Sequence, residues 1–220
     1  MPVRQGYQRW AEVYDGDGNP LVAMDEQHFS AMLPDVSGRL IADLGCGTGR
    51  HTARLAVRGA TVVALDFSCA MIKRARTRAR SARASWIMAD VAGFLPLKNN
   101  VLDGVVCSLV IEHVRDIAAM LVEVRRVCKP GAFALISDIH PEMAAGGAAA
   151  SFRDPRSGLK VFPRGYRHEL ADYLAAAAGA GFRIEAISEP VADRQAAARA
   201  PRARKHVGKK ILLMLRLTAL

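Results

Sequence analysis

The sequence is poor in aromatic residues and has no closely spaced pair of cysteines. Aromatic residues make up 6% of the 220 positions, and the four cysteines, at 46, 69, 107 and 128, form no Cys-x-x-Cys motif. This spacing disfavours a zinc site or a disulfide framework and predicts buried thiols. No window has the apolar length of a membrane span, and the first residues lack the apolar run of a signal peptide. We therefore predict a cytoplasmic protein with no metal and no membrane partner.

Positive charge is in excess and is unevenly spread. Lys and Arg number 31 against 21 Asp and Glu, a formal net charge of +10. Two basic segments, 73–83 and 199–210, hold much of the excess. In the first, Met, Ile and Ala alternate with the charges at helical spacing, which is typical of an amphipathic helix with a solvated basic face. Neither segment has aromatic residues that could stack on bases, so nucleic-acid binding is not favoured.

One stretch, residues 39–66, organises the rest of the chain. An apolar run leads into the turn Gly45-Cys46-Gly47-Thr48-Gly49, and a helical segment and a second apolar run follow, ending at Asp66. This order is that of a nucleoside-binding half of a doubly wound sheet. The glycines let the backbone approach a ligand closely. The carboxylate of Asp66 can accept hydrogen bonds from both hydroxyls of a ribose.

Details of the turn narrow the choice of nucleoside. Its Gly-x-Gly-x-Gly spacing differs from the Gly-x-Gly-x-x-Gly of most NAD-binding folds, and no Gly-Lys-Ser/Thr follows as in a phosphate-binding loop. Asp43 precedes the turn, where a carboxylate would repel a pyrophosphate but suit an ammonium group. S-adenosylmethionine (SAM) has that ammonium group and no phosphate. The stretch therefore resembles the class I SAM-dependent methyltransferases, in particular the large small-molecule branch called methyltransferase type 11.

The resemblance covers nearly the whole chain and implies an α/β fold. It predicts a Rossmann-like, doubly wound, seven-stranded sheet, mostly parallel with an antiparallel last strand. Residues 1–220 would form a single domain, with an N-terminal helical lid over 1–38 and an acceptor-pocket insertion over 139–167. Between the last two predicted strands, the Ala- and Arg-rich segment 190–210 is expected to be mobile.

The resemblance also assigns residues to the cofactor. Tyr14, in a Trp-Ala-x-x-Tyr-Asp pattern, would lie near the methyl group, although it could instead pack on the sheet in an aromatic stripe. Phe67 would lie against adenine and Asp90 at the adenine edge; their alternatives are a core position and a turn cap. The predicted cofactor-binding residues are Tyr14, Asp43, Gly45, Cys46, Gly47, Asp66, Phe67, Asp90, Val91 and Ser108.

Histidines are the predicted general bases. His140 follows the predicted fifth strand and is a good candidate because free imidazole titrates near neutrality. His113 follows the fourth strand, where bonding a neighbouring loop is at least as good an interpretation, and His28 is a weaker third choice. An acceptor O, N, C or S would attack the methyl carbon in line with its bond to sulfur, in a site depleted of water. Basic residues in the insertion suggest an acidic small-molecule acceptor, although solvated loop charges are common.

Two other functions remain as alternatives. An RNA or protein methyltransferase would use the two basic segments. The sequence after the fourth strand, Ser108-Leu109-Val110-Ile111, lacks the Asn/Asp-Pro-Pro-Tyr/Phe signature of amino methylation of bases and argues against that subclass. A non-catalytic SAM-binding regulator on the same fold is the least favoured, because the cofactor motifs are intact.

Overall fold

Short runs rich in Val, Leu, Ile and Ala alternate with segments of helical periodicity, the pattern of a sheet covered by helices on both faces. A computed structural model describes residues 1–80 and 82–220. The strands are β1 (Leu40–Leu44), β2 (Thr61–Asp66), β3 (Ala84–Met88), β4 (Leu102–Ser108), β5 (Cys128–Ile139), β6 (Phe152–Arg153), β7 (Lys160–Val161), β8 (Phe182–Ser188) and β9 (Leu212–Ala219). The helices are α1 (Val3–Trp10), α2 (Pro20–Met32), α3 (Arg50–Val57), α4 (Cys69–Arg78), α5 (Ile117–Val127), α6 (Pro141–Ala145), α7 (Leu170–Gly179) and α8 (Arg194–Arg199). Turns of 3-10 helix lie at Tyr14–Gly16, Ile111–His113 and Pro201–His206.

The main sheet has a reversal of strand order at its centre. Within the described residues it contains seven strands in the order β3-β2-β1-β4-β5-β9-β8. β1 pairs in parallel with β2 and β4, whereas β9 is antiparallel to β5 and β8. The predicted Rossmann-like sheet with an antiparallel last strand is confirmed. The order reverses between β1 and β4, and such a switch point opens a crevice at the carboxyl ends of the strands.

Apolar layers cover both faces of this sheet. On one face, α5 and α7 bury Leu121, Val124 and Tyr173. On the other face, α2 and α3 bury Phe29 and Leu55. Full burial of such a side chain contributes roughly 1.5–3 kcal/mol. The layers hold the strand ends rigidly, which allows the loops at the carboxyl edge to form a site.

A buried ionic cluster joins α2 to the sheet. Asp25 is fully buried, and its carboxylate accepts hydrogen bonds from Arg50 Nη1 at 2.7 Å, His51 Nε2 at 2.6 Å and Ser137 Oγ at 2.6 Å. A buried carboxylate is costly unless it is paired and hydrogen-bonded. The three donors therefore fix α2 against α3 and β5, beside the crevice.

The segment 190–210, predicted to be mobile, instead forms helical structure. It contains α8 and the 3-10 turn Pro201–His206. Ala196, Ala200 and Ala203 are buried against α2 and β9, while the basic residues between them stay exposed. The alanines recur at helical spacing and make an apolar stripe, which the high charge of the segment obscures in the sequence.

The first basic segment contains the predicted amphipathic helix. Ser68 caps α4 by accepting a hydrogen bond from the backbone of Met71, and Met71, Ile72 and Ala75 form its buried face. The helix ends at Arg78, and position 81 of the segment lies outside the described residues. The predicted insertion at 139–167 contains α6 and the hairpin of β6 and β7.

Two features are absent from the described part of the chain. No helix there has both the length and the apolar character needed to cross a membrane. Nor do three or more His, Cys, Asp or Glu side chains come together in the same part of the chain in an arrangement that could hold a metal ion.

Candidate active site

Two cavities adjoin at the carboxyl edge of the sheet. The first cavity, of about 140 Å³, lies between the loops that follow β1, β2, β3 and β4. The second cavity, of about 210 Å³, is bounded by α1, α6, β7 and the 3-10 turn Pro201–His206. Tyr7, Tyr14 and Leu109 line both cavities and therefore mark the boundary between them.

The glycine turn forms one wall of the first cavity. Gly45 has a φ of 68°, a left-handed value that favours glycine. A Cβ at this position would lie 2.3 Å from Cγ2 of Val110, so the loop after β4 packs directly on the turn. The backbone N–H of Cys46 donates to the carbonyl of Leu65 at 2.9 Å and fastens the turn to β2. Only a residue without a side chain fits between these two loops.

Asp66 supports the same turn from the end of β2. Its Oδ2 accepts from the N–H of Gly47 at 2.9 Å and its Oδ1 from the N–H of Ser68 at 2.8 Å. Burial raises the pKa of Asp66 to about 6, although these backbone donors oppose the shift. The carboxylate is therefore ionised at neutral pH. It lines the first cavity with lone pairs to spare, which is what two ribose hydroxyls require.

The other end of the first cavity contains four more of the predicted residues. Phe67, Asp90, Val91 and Ser108 all line it. Asp90 also accepts from the N–H of Ala92 at 3.0 Å, so its predicted alternative as a turn cap is present as well. The hydroxyl oxygen of Ser108 is buried and has no hydrogen-bond partner among the described residues. An orphaned polar atom facing a cavity fits a site that a polar ligand completes.

Two predicted cofactor residues lie outside both linings. Asp43 is buried beneath the turn, where its Oδ2 accepts from Thr52 Oγ1 at 2.6 Å. Burial raises the pKa of Asp43. Cys46 is buried as well, and neither residue is among the described lining residues. Thr52, in the first turn of α3, therefore binds the carboxylate of Asp43, which was predicted to bind an ammonium group of the ligand.

Helix α1 covers the first cavity. The Oε1 of Gln8 accepts from Ser68 Oγ at 3.1 Å, which fastens α1 to the start of α4. The ring of Tyr7 then lies 6.2 Å from that of Phe67 and 6.3 Å from that of Tyr14, between centroids. Burial raises the pKa of Tyr14 to about 12, so it is a neutral phenol. Tyr7 is not among the predicted site residues, since nothing local in the sequence distinguishes it from Trp10.

A strained residue lies at the boundary of the cavities. Leu109 directly follows β4 and has a φ of 58°, rare for a large side chain. Its N–H donates to the carbonyl of Ser137 at 2.7 Å, which holds the unusual conformation. Such strain costs on the order of 1–3 kcal/mol and is often found at functional sites. Here it directs the 3-10 turn Ile111–His113 toward both cavities.

His113 lies in this turn and lines the first cavity. Its Nδ1 is 2.7 Å from the carbonyl of Arg164, and its Nε2 is 2.8 Å from the hydroxyl of Tyr7. Because a carbonyl can only accept, Nδ1 carries the proton and Nε2 accepts from Tyr7. Burial lowers the pKa of His113, which keeps the imidazole neutral.

His140 lies elsewhere and is not among the described residues that line either cavity. It caps α6, where its Nδ1 accepts from the N–H of Glu142 at 3.2 Å. Its Nε2 donates to Glu189 Oε1 at 2.7 Å. Both ring nitrogens are therefore used in structural contacts. Of the three histidines considered as bases, His28, His113 and His140, only His113 is among the described residues that line the cavities.

The second cavity combines apolar walls with a basic rim. Trp10 stacks on Phe152, with ring centroids 5.0 Å apart and planes 12° apart, and closes one side. Leu109, Ile139 and Met143 line the interior. The cationic side chains on the rim are Lys160, Arg202 and Lys205. The cavity therefore offers a ligand both apolar side chains and positive charge.

Glu112 was not predicted and lines the second cavity. It is 6% exposed, and its Oε2 accepts from the N–H of Ala150 at 3.3 Å. Burial raises its pKa to about 7. Only a weak signal in the sequence could have identified Glu112. It is an acidic residue that directly precedes His113 and lies shortly after the carboxyl end of the buried strand β4.

Comparison with known proteins agrees with this geometry. A family profile described as Methyltransferase domain matches residues 42–136. An uncharacterized methyltransferase of Emericella nidulans is similar to the chain, with 30% identity over 230 residues that cover 87% of this chain and 80% of that protein. A 2-phytyl-1,4-naphtoquinone methyltransferase of Nostoc punctiforme is 40% identical over 111 residues, 47% of this chain and 48% of that protein.

A solved structure also resembles the whole fold. The crystal structure of an S-adenosylmethionine dependent methyltransferase from Mesorhizobium loti superposes with a TM-score of 0.74 at 25% identity. The superposition covers 88% of this chain and 97% of that one. The similarity therefore extends well beyond the segment that the family profile matches.

Proposed function

The chain belongs to the family of SAM-dependent methyltransferases, and we propose that it methylates a small, acidic molecule bound in the second cavity. One observation carries the proposal: the two cavities adjoin, and Tyr7, Tyr14 and Leu109 line both. A methyl donor in the first cavity and an acceptor in the second would meet at these three residues.

The residues of the first cavity fit the cofactor. We assign Asp66 to the ribose hydroxyls, the backbone of Gly45 and Gly47 to close approach, and Asp90 and Val91 to the adenine edge. When bound, SAM supplies a methyl group already activated by a cationic sulfur. The protein must then hold the acceptor in line with the carbon–sulfur bond and keep water out. The half-buried rings of Tyr7 and Tyr14 serve that exclusion.

The form of the second cavity supports a small acceptor. Its space of about 210 Å³ is covered by α1 and closed on one side by the stacked pair Trp10 and Phe152. An RNA base or a protein side chain is attached to a macromolecule, so it would need a wide entrance to the cavity. The similar protein from Nostoc punctiforme, a 2-phytyl-1,4-naphtoquinone methyltransferase, is consistent with an acceptor that is not a macromolecule.

The rim supports an acidic group on that acceptor. Arg202 is engaged by Asp17, with its Nη1 3.0 Å from Asp17 Oδ1, but Lys160 and Lys205 have no ion-pair partner among the described residues. Burial and the neighbouring cations Lys205 and Lys209 lower the pKa of His206, which reports a positive potential at this edge. A carboxylate on the acceptor would be attracted to it.

If the acceptor loses a proton, a base is needed near the boundary of the cavities. The placement of His113 supports it over His140, because His113 lines the first cavity and His140 faces Glu189. His113 Nε2 already accepts from Tyr7 Oη at 2.8 Å, so it would orient that hydroxyl and leave the proton of the acceptor to another group.

The test uses SAM labelled on its methyl group and an extract of the source cells. Labelled product is separated into small molecules, RNA and protein. We expect label among small molecules, unaffected by nuclease, and retained on an anion exchanger. An Asp66→Ala variant, which should not bind SAM, is the control for label that transfers without the enzyme. Label in RNA or protein would contradict the proposal and favour a role for the basic face of α4. SAM binding by calorimetry without any label would favour a regulator.

A further inference from the structure

Glu112 lines the second cavity, and one of its carboxylate oxygens, Oε1, has no hydrogen-bond partner among the described residues. Oε2 is held by the N–H of Ala150 at 3.3 Å. The carbonyl of Glu112 is held by the N–H of Tyr166 at 2.7 Å. Among the hydrogen bonds of residues 1–80 and 82–220, none reaches Oε1. The side chain is 7% exposed, and Oε1 is not among the fully buried polar atoms without a partner, so protein does not enclose it completely.

The nearest group to Oε1 cannot satisfy it. His113 Nε2 lies 3.5 Å away. The two donors next to Oε1 already have acceptors. His113 Nδ1–H donates to the carbonyl of Arg164, and the Tyr7 hydroxyl donates to His113 Nε2. Glu112 Oε1 and His113 Nε2 are therefore two acceptors side by side. A carboxylate oxygen that lacks a donor favours a ligand that brings one.

The groups around Glu112 come from several elements. Tyr7 from α1 bonds the adjacent His113, and Asp138 from β5 accepts at its Oδ2 from the hydroxyl of Tyr173 from α7 at 2.7 Å. Lys160 from β7 lines the same cavity. Burial raises the pKa of Asp138 to about 7, and the charge on Glu112 adds to that shift. The charge on either carboxyl group therefore disfavours ionisation of the other.

We propose that Glu112 is the catalytic base of this methyltransferase, and that the acceptor presents a hydroxyl to its Oε1. The proposal rests on the proposed function, since it needs an acceptor in the second cavity. As the acceptor oxygen forms its bond to the methyl carbon, the carbon–sulfur bond breaks and its electron pair stays on sulfur. The hydroxyl proton passes to Glu112 Oε1. Charge is balanced, because a carboxylate and a sulfonium are both neutralised.

The first test compares Glu112→Gln with the wild type in the label-transfer assay, at saturating SAM. Glutamine keeps the size and can still accept from Ala150, but it cannot take a proton. We expect SAM affinity and thermal stability near those of the wild type and a transfer rate lower by roughly 100-fold or more. Glu185→Gln makes the same chemical change on the exposed edge strand β8 and should leave the rate unchanged.

The pH profile separates a base from a merely structural residue. The wild-type rate should fall with decreasing pH below about 7, where Glu112 becomes protonated. Glu112→Asp, which keeps a carboxylate with shorter reach, should keep that acid limb at a lower rate. Glu112→Gln should lose the limb. A Glu112→Gln variant that transfers label at the wild-type rate, or with an unchanged acid limb, would overturn the assignment.

A second readout needs neither an acceptor nor turnover. Carbon NMR of protein labelled at the glutamate side-chain carboxyl should show one resonance that is absent from Glu112→Gln and titrates near pH 7. A Glu112 resonance that titrates below pH 5 would contradict the buried, unpartnered carboxylate on which the proposal stands. Failure of the wild type to bind SAM would instead overturn the proposed function, so the two failures are distinguishable.

Discussion

The two cavities are built in different ways. The first cavity takes most of its lining from one continuous stretch, 45–114, at the carboxyl ends of four adjacent parallel strands. The second is assembled from segments far apart in the chain: α1, the 3-10 turn Ile111–His113, α6, β7 and the turn Pro201–His206. The first depends on backbone geometry and one carboxylate, whereas the second depends on side chains packed between separate segments.

This difference separates what is constant in the reaction from what is specific to this chain. A methyl donor shared by a whole family can be bound by a turn, a glycine and a carboxylate. In the proposed function an acceptor is selected by shape and charge, which Trp10, Phe152, Glu112 and the basic rim would supply. Changes in the first cavity should therefore abolish cofactor binding, and changes in the second should alter only the acceptor step.

The largest expected effect is that of Gly45→Ala, in the first cavity. The new Cβ would meet Val110 at 2.3 Å in a residue with a φ of 68°. We expect SAM affinity measured by calorimetry to fall by about 100-fold or more, equivalent to about 2.7 kcal/mol. Gly131→Ala is the matched control, because its φ is 78° but no atom lies within 4 Å of the added carbon. Wild-type affinity in Gly45→Ala would show that the contact with Val110 does not shape the cavity.

A smaller effect is expected from pH on cofactor binding. The pKa of Asp66 is raised to about 6, so the carboxylate that would accept from the ribose is lost as the pH falls through 6. SAM affinity should weaken by roughly tenfold per pH unit below that value and be constant above it. In Asp66→Asn the affinity should be weak and independent of pH between 5 and 8. Equal pH dependence in both proteins would remove Asp66 from the ribose site.

In the second cavity, Lys205→Ala should raise the KM for the acceptor by about three- to fivefold, as expected of an exposed ion pair. The kcat and the SAM affinity should stay unchanged, and the difference from wild type should shrink in high salt. Lys73→Ala, on the exposed basic face of α4, is the control and should change nothing. If Lys73→Ala has the larger effect, the basic face rather than the rim recognises the acceptor.

The smallest expected effect is that of pH on the thermal stability of the protein. The pKa values of Asp66, Glu112 and Asp138 are raised to about 6, 7 and 7, above the roughly 4 of unfolded chains. Between pH 4 and 7 the folded protein therefore holds more protons than the unfolded one, and stability falls as the pH rises. The Tm should be lower at pH 8 than at pH 6, by about 2–4 °C for each kcal/mol lost. In Asp138→Asn the Tm should depend less on pH. A wild-type Tm that rises from pH 6 to 8 would contradict this prediction.

Most of the fold and the first cavity could be predicted because their signals are local. Apolar runs mark β1, β2 and β4, and the turn at Gly45 and Gly47 lies within a few residues of the strand that it ends. Asp66 ends the next strand, which pairs with β1 in parallel, so its position beside the turn follows from the strand order. The local signal was less reliable for Asp43, because Thr52 provides a partner that spacing alone did not reveal.

By itself, the amino-acid sequence determined the sheet, the glycine turn and the carboxylate at Asp66. Only the tertiary structure decided that His113 rather than His140 lies at the cavities, and that Glu112 lines the second one. The physical reason is the distance along the chain between the partners. Tyr7 and His113 are 106 positions apart, and His140 and Glu189 are 49 apart. Hydrophobic periodicity and glycine conformation act within a turn or a strand, whereas the direction of a polar side chain depends on which distant segment brings it a hydrogen-bond partner.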